Sequence, residues 1–137
     1  LQSVVKNTGF QGRWQILQNS PKVIADVAHN SAGIAAVIEQ INTMKYYHLH
    51  IVFGMVNDKD FGQISAYLPK DASYYFCSPN VIRSKAVDQL FAEASQLGFR
   101  GATHYSVASA LDAAKQGASL SDIILVCGSL FVVTEVL

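Results

Sequence analysis

The chain has 137 residues, half of them hydrophobic, which is enough to build one compact domain around its own core. Ten basic and ten acidic side chains balance, and no basic cluster is present, so we expect neither a nucleic-acid interface nor binding to an anionic membrane. The most apolar stretch, residues 120–137, is broken by charged and small residues well short of the ~20 apolar residues that span a bilayer.

Short β-prone runs alternate along the chain with helical stripes, in which apolar residues recur three and four positions apart. The predicted strands are 13–18, 22–27, 49–53, 73–77, a shorter candidate at 102–105, and 122–127. The predicted helices carry the stripes Ile34, Val37, Ile38 and Ile41; Phe61, Ile64 and Leu68; Val87, Leu90, Phe91 and Ala94; and Val107, Ala110, Leu111 and Ala114.

This alternation predicts parallel strands joined by right-handed crossovers, with helices on both faces of one sheet. The runs 51–53 and 123–126 are continuously apolar, as expected for strands that are covered on both faces. Strand 13–18 is the exception, because the turn residues 19–21 would fold it back onto the next strand as an antiparallel edge. The sequence therefore predicts an α/β fold, a three-layer Rossmann-like sandwich whose mostly parallel sheet has one antiparallel edge strand.

Cys77 and Cys127 lie in or beside apolar strands and lack metal-ligand spacing, which favours buried, reduced thiols. Reduced thiols are typical of a cytoplasmic protein. The chain begins at Leu1 with neither an initiator Met nor a signal peptide, so we expect a fragment of a longer protein. Residues 1–10 would then be the remnant of a connection to an upstream domain.

Polar residues follow the carboxyl ends of the predicted strands, where loops and helix N-termini of an open parallel sheet face a ligand. This polar rim contains His29, Asn30, Ser31, Asn57, Asp58, Lys59, Asp60, Ser78, Asn80, Arg83, Gly128 and Ser129. Unpaired backbone N–H groups near Asn30, Asp58 and Ser129 could bind a carboxylate or a phosphate. The alternative is that these three residues, with Ser31, only cap helices.

Asp26 is unusual, because a carboxylate near the end of a buried strand needs a charged or hydrogen-bonding partner. Arg13 could supply it across the hairpin as a structural ion pair. His29, three residues further along, is either a ligand-facing donor or a capping side chain. His48 and His50 would share one strand face, but no third ligand accompanies them, so a metal site is not indicated.

Several motifs of nucleotide-binding and hydrolytic enzymes are missing from this sequence. It contains no G-x-x-x-x-G-K-[ST] phosphate loop, no G-x-G-x-x-G turn and no G-x-S-x-G nucleophile elbow. A self-contained enzyme is therefore not indicated. One alternative is a stand-alone α/β module that binds a small anion on the polar rim, or takes part in an interaction, without catalysis.

Three strings carry a resemblance to a known family. They are Gly12-Arg13 with the string 23–30, the string 52–54 with Asp58-Lys59-Asp60, and the string 126–131. With them, the chain resembles the C-terminal domain of folylpolyglutamate synthase and dihydrofolate synthase, relatives of the Mur ligases, from about Gly12 to Leu137. It departs from that pattern at Gln15, Val27 and Ser31, where the family usually has Glu, Gly and Pro.

The resemblance implies an ATP-dependent ligase that adds L-glutamate to folate or dihydropteroate. ATP would phosphorylate a substrate carboxylate, and the amino group of glutamate would attack the acyl phosphate. Carried over by position, Arg13 and Asp26 would bind ATP. His29 and Ser129 would face the glutamate, with His29 as the catalytic candidate.

The same resemblance implies how this domain relates to its substrates and to the rest of the protein. All of 1–137 would be one C-terminal ligase domain, inactive by itself and monomeric. A missing N-terminal domain would carry the phosphate loop and the Mg²⁺ ligands, so no metal site is expected in this chain. A cell-wall Mur ligase would share fold and chemistry but use another amino acid. The sequence does not separate addition of the first glutamate from addition of later ones.

Overall fold

The computed structural model describes residues 12–137, so the predicted linker at 1–10 lies outside the described residues. Six strands and five helices follow one another along this part of the chain. In order they are β1 (Gln15–Asn19), β2 (Lys22–Ala25), α1 (Ser31–Asn42), β3 (Leu49–Phe53), α2 (Phe61–Ile64), a 3-10 turn (Ser65–Tyr67), β4 (Ser73–Phe76), α3 (Val87–Gln96), β5 (Gly101–Thr103), α4 (Val107–Gly117), β6 (Ile123–Cys127) and α5 (Leu130–Thr134).

The strands form one sheet in the order β1-β2-β6-β3-β4-β5. β1 pairs with β2 antiparallel, and every other neighbouring pair is parallel. The predicted α/β sheet with one antiparallel edge is therefore confirmed. The central strands β6 and β3 are buried along their whole length, as the continuous apolar runs 123–126 and 51–53 predict.

Helices cover both faces of this sheet and divide the core into two halves. Helices α1, α2 and α3 bury their apolar stripes on one face, and α4 and α5 bury theirs on the other. Because side chains alternate along a strand, Ile51 and Phe53 of β3 point into the first half while Val52 points into the second. All four predicted stripes lie on helices or at their ends, so the three-layer prediction is confirmed.

Seven predicted strand boundaries were off by one or two residues, and at three of them the structure shows a local feature. β1 begins at Gln15 and not at residue 13, because Trp14 has a left-handed backbone (φ 48°) that an extended strand excludes. β2 ends at Ala25, since the carboxylate of Asp26 accepts a hydrogen bond from Ala28 N and turns the chain. β5 begins one residue early, at Gly101, which pairs with Tyr74 so closely that a Cβ would collide with the Tyr74 carbonyl.

Both cysteines are buried and unpaired, as predicted. Burial raises the pKa of the Cys77 thiol to about 12, and it also raises the pKa of Cys127. Neither thiol is therefore a nucleophile near neutral pH. Within residues 12–137, no helix is long and apolar enough to cross a bilayer.

A buried polar network ties three strands together at the amino end of the sheet. His50 Nε2 donates to Asp122 Oδ2 over 2.8 Å, and its Nδ1 lies 2.9 Å from the hydroxyl of Tyr75. The carboxylate of Asp122 also accepts from Ser119 N and Ser119 Oγ, each at 2.9 Å. The rings of His48 and His50 do lie together, at 4.9 Å, but in the described part of the chain no group of three possible ligands could hold a metal.

This network predicts that stability depends on the charge of Asp122. Burial opposes its ionisation, but hydrogen bonds from His50 and Ser119 outweigh that effect and lower its pKa. A lowered carboxyl pKa stabilises the fold at neutral pH, and this contribution is lost as the pH falls through the folded-state pKa. Asp122→Asn should therefore lower the free energy of unfolding by about 2 kcal/mol at pH 7.

Urea unfolding from about pH 7 down to pH 3 measures this effect. The difference between wild type and Asp122→Asn should shrink as the pH falls. Asp112→Asn, at an exposed position of α4, is the control and should behave like wild type. A difference that stays constant with pH would contradict the assignment of the effect to the ionised carboxylate.

Candidate functional site

Three loops meet at the carboxyl ends of β2, β6 and β3, and two glycines allow the close contact. Gly128 has φ 109°, and a Cβ on it would collide with the carbonyl oxygen of Gly54. A Cβ on Gly54 would in turn lie 2.7 Å from the carbonyl oxygen of Cys77. Gly128 N donates to Ala28 O at 2.9 Å, which ties the loop after β6 to the loop after β2. These loops therefore form one continuous edge.

The carboxylate of half-buried Asp26 is held by backbone groups. Its Oδ2 accepts from Trp14 N at 3.0 Å and its Oδ1 from Ala28 N at 2.9 Å. The left-handed conformation of Trp14 directs its N–H to the carboxylate. Within residues 12–137 no ion pair joins Asp26 to Arg13, so the alternative of a structural ion pair was wrong. Backbone donors replace the arginine, which leaves the Arg13 side chain exposed.

Arg13, Asp26 and His29 line one open cleft of about 450 Å³. One face of α1 and the side of Trp14 also line the cleft. The remaining lining residues are Val27, Ala28, Asn30, Ala32, Gly33, Ala36, Val37 and Gln40. A cation, a carboxylate with spare lone pairs and an imidazole thus converge on a space large enough for part of a nucleotide.

His29 is exposed at the junction of this cleft and a second, smaller cavity. Its Nδ1 lies 3.1 Å from Val27 O, and because a carbonyl only accepts, Nδ1 must carry the proton. In the neutral ring, Nε2 is then free to accept a proton or a hydrogen bond. The smaller cavity, of about 80 Å³, is also lined by Asn30, Ser31, Met55, Lys59, Asp60, Gln63 and Ile64.

Ser129 does not line the cleft that contains the other three predicted site residues. It is buried, and its Oγ accepts from Phe131 N at 3.0 Å as the cap of α5. Asn30 likewise caps α1 by accepting from Gly33 N. Asn30 and Ser129 thus do cap helices, and ligand binding at either residue stays a prediction.

For the other two residues the capping alternative was wrong. Ser31 is the first residue of α1, and its hydroxyl donates to Gln63 O. Asp60, and not Asp58, caps α2. Asp58 instead forms an exposed ion pair with Arg83, with 3.5 Å between Nη2 and Oδ2.

Two residues of this edge were missed by the sequence reasoning. Trp14 was assigned to a strand, and nothing in its residue type indicates a left-handed backbone. Lys85, at 3% exposure, was not singled out, because one lysine in a polar loop resembles any solvated charge. The residues directly after Lys85 give no signal either, because Ala86, Asp88 and Gln89 are exposed.

Comparison with known proteins gives consistent relatives. The family described as "Mur ligase, glutamate ligase domain" matches residues 12–130. A probable bifunctional folylpolyglutamate synthase/dihydropteroate synthase of Haloferax volcanii is 35% identical over 96% of this chain and 16% of the relative. The dihydrofolate synthase/folylpolyglutamate synthase of Escherichia coli is 36% identical over 92% of this chain and 29% of its own.

Solved structures agree with these relatives. E. coli FolC in complex with ADP superposes with a TM-score of 0.83 at 33% identity, covering 93% of this chain and 30% of that chain. A bifunctional folylpolyglutamate synthase/dihydrofolate synthase with Mn, AMPPNP and L-glutamate bound superposes at 0.80 and 28% identity, covering 93% and 31%. The chain therefore spans less than a third of the length of these relatives.

The close contact between Gly128 and Gly54 predicts that one added methyl group at Gly128 lowers the stability of the fold. Gly128→Ala places a side chain at a positive φ and against the backbone of Gly54, and should lower the free energy of unfolding by roughly 2 kcal/mol or more. Gly62→Ala is the control, because Gly62 lies in α2 with its nearest neighbour at 3.4 Å. Thermal unfolding of both variants measures the difference, and equal midpoints would contradict the assigned constraint.

Proposed function

Because the chain belongs to the Mur ligase family of glutamate ligase domains, we propose that it is the C-terminal domain of an ATP-dependent ligase that adds glutamate to folate or dihydropteroate. The observation that carries this proposal is the convergence of Arg13, Asp26 and His29 on one cleft at the carboxyl ends of the strands. The names of the relatives and of their bound ligands, ADP, AMPPNP and L-glutamate, support the same chemistry.

The reaction begins with transfer of a phosphoryl group from ATP to a carboxylate of the folate or dihydropteroate. Water has to be excluded while the acyl phosphate exists, since hydrolysis would waste it. The cleft is partly open to solvent. We propose that residues 1–137 close against an upstream domain that carries the phosphate loop, and that closure brings Arg13 to the nucleotide.

Asp26 and Arg13 have suitable chemistry for ATP. Each oxygen of Asp26 accepts one backbone hydrogen bond, which leaves further lone pairs for the hydroxyls of a ribose. The exposed guanidinium of Arg13 suits phosphate oxygens, because its planar donors can form paired, charge-assisted hydrogen bonds. Both groups line the same cleft, so one nucleotide can reach both.

Magnesium does not fit the described residues by themselves. Within 12–137 no group of three His, Cys, Asp or Glu side chains is arranged to hold a metal ion. The neighbour with bound Mn supports the use of a divalent ion by the family. We expect its ligands in the upstream domain and assign none of them here.

His29 is proposed to act on the glutamate side. With Nδ1 donating to Val27 O, its free Nε2 can contact the incoming amino acid in either protonation state. Protonated, it donates to a carboxylate; neutral, it accepts from the ammonium group that has to lose protons before attack. We favour the carboxylate contact as its main role, because His29 lies beside the N-terminus of α1, where an anion is stabilised.

Ser129 is proposed to act on the glutamate side with His29. Its Oγ accepts from Phe131 N, so its own hydrogen remains available as a donor. The intact enzyme is expected to be monomeric and cytoplasmic, and the two free buried thiols support a reducing compartment.

The proposal predicts the kinetics of Arg13→Ala in the full-length enzyme. Loss of a charged hydrogen-bond donor should raise KM for ATP and lower kcat/KM by roughly 10- to 1,000-fold, with an unchanged melting temperature because Arg13 is exposed. Asp26→Ala should cause a similar loss and should also destabilise the fold, since two backbone donors lose their acceptor. Arg100→Ala, exposed beside β5, is the control. Normal ATP kinetics in folded Arg13→Ala would contradict the ATP assignment.

A second prediction concerns His29→Ala. Loss of a carboxylate contact should fall mainly on KM for glutamate, with KM for ATP unchanged. His29→Gln, whose amide can still donate, should retain part of the affinity. Steady-state kinetics with glutamate and ATP varied separately would decide. A defect confined to ATP would overturn the assignment, and a defect confined to kcat with a flattened acidic limb of the pH profile would indicate a base instead.

A further inference from the structure

Lys85 is a buried cation that the proposed chemistry does not use. It precedes α3, and only 3% of its surface is exposed. Its Nζ lies 2.8 Å from Glu93 Oε1 on α3 and donates to the main-chain carbonyl of Lys59 at 3.0 Å. One ammonium group thus joins a helix to the loop after β3.

The backbone of Lys85 makes two further contacts between loops. Its N–H donates to Met55 O at 2.8 Å, and its carbonyl accepts from Ser78 Oγ at 2.7 Å. Val56 and Ser84 form an antiparallel bridge beside it. The loop after β3 is therefore fastened at both ends, at Met55 and at Lys59.

That loop forms one wall of the small cavity beside His29. Met55 and Lys59, the two residues whose carbonyls Lys85 holds, both line the cavity. Its volume of about 80 Å³ has room for about two or three waters, which is the size range of one carboxylate group. The cavity is also lined by His29, by the start of α1, and by Asp60, Gln63 and Ile64.

Stability alone does not account for a lysine at this position. Burying an ammonium costs several kcal/mol of hydration, and an apolar side chain in place of a buried ion pair often leaves stability equal or higher. An exposed pair, Arg83 with Asp58, already spans the same two loops. What Lys85 adds, and an apolar side chain would not, is a donor directed at the carbonyl of Lys59.

We propose that Lys85 is a positioning residue: it fixes the carbonyl of Lys59, and so the wall of the cavity in which a carboxylate of the incoming glutamate binds beside His29. The inference rests on the proposed function for the identity of the ligand. That Lys85 fixes the loop is independent of the proposed function, because the contacts of Lys85 alone support it.

The test uses the full-length protein with the double variant Lys85→Met/Glu93→Gln, which removes both charges and leaves no unpaired carboxylate. We expect a melting temperature equal to wild type or higher, KM for glutamate raised roughly 10- to 100-fold, and KM for ATP unchanged. Lys85→Arg keeps a cation and its donors, so this variant should retain most of the wild-type affinity for glutamate. Arg100→Met, which removes an exposed cation beside β5 and outside the polar rim, is the control and should match wild type.

Hydrogen exchange of the same proteins supplies a readout that needs no activity. In the double variant, amides 55–60 should exchange faster while those of β3 and β6 keep their protection. Unchanged exchange and unchanged glutamate KM would overturn the proposal. So would a lowered melting temperature with both KM values altered alike, since Lys85 would then be structural. If wild type ligates no glutamate, the proposed function fails, and exchange at 55–60 still decides whether Lys85 holds the loop.

Discussion

The carboxylate of Asp26 accepts backbone hydrogen bonds from Trp14 and Ala28, and the arrangement of the whole cleft depends on this interaction. It ends β2, turns the chain toward α1, and holds the segment before β1 against the same edge. Because the two donors occupy only one lone pair on each oxygen, the carboxylate can organise the loop and still bind a ligand. A structural role and a functional role are therefore compatible at this residue.

The loops at the carboxyl end are held by different forces at different points. Backbone contact, possible only for glycine at Gly128, joins the loop after β6 to the loop after β3. The ammonium of Lys85 fixes the far end of that second loop. Because these contacts hold the loops in place before a ligand binds, the loops lose less conformational entropy on binding. In the proposed function, the open cleft is the surface that closes against an upstream domain.

The two ends of the sheet use polar groups in opposite ways. At the amino end, Asp122, His50 and Tyr75 bond to one another inside the protein, and the network is complete without a ligand. At the carboxyl end, Arg13 and the Nε2 of His29 are left without a protein partner in the described structure. Satisfied networks stabilise a fold, whereas open donors and acceptors in a cleft indicate binding.

The sequence by itself determined the fold class and the family. Apolar periodicity predicted the helices, continuous apolar runs predicted β3 and β6, and Asp26, Ala28, His29 and Asn30 carried the resemblance. Only the tertiary structure decided which groups meet: Asp26 bonds to backbone and not to Arg13, Ser129 caps a helix away from the cleft, and Lys85 is buried. Periodicity records which side of an element is apolar, because that follows from local geometry. The partner of a polar side chain depends on loops distant in sequence, and no local pattern specifies it.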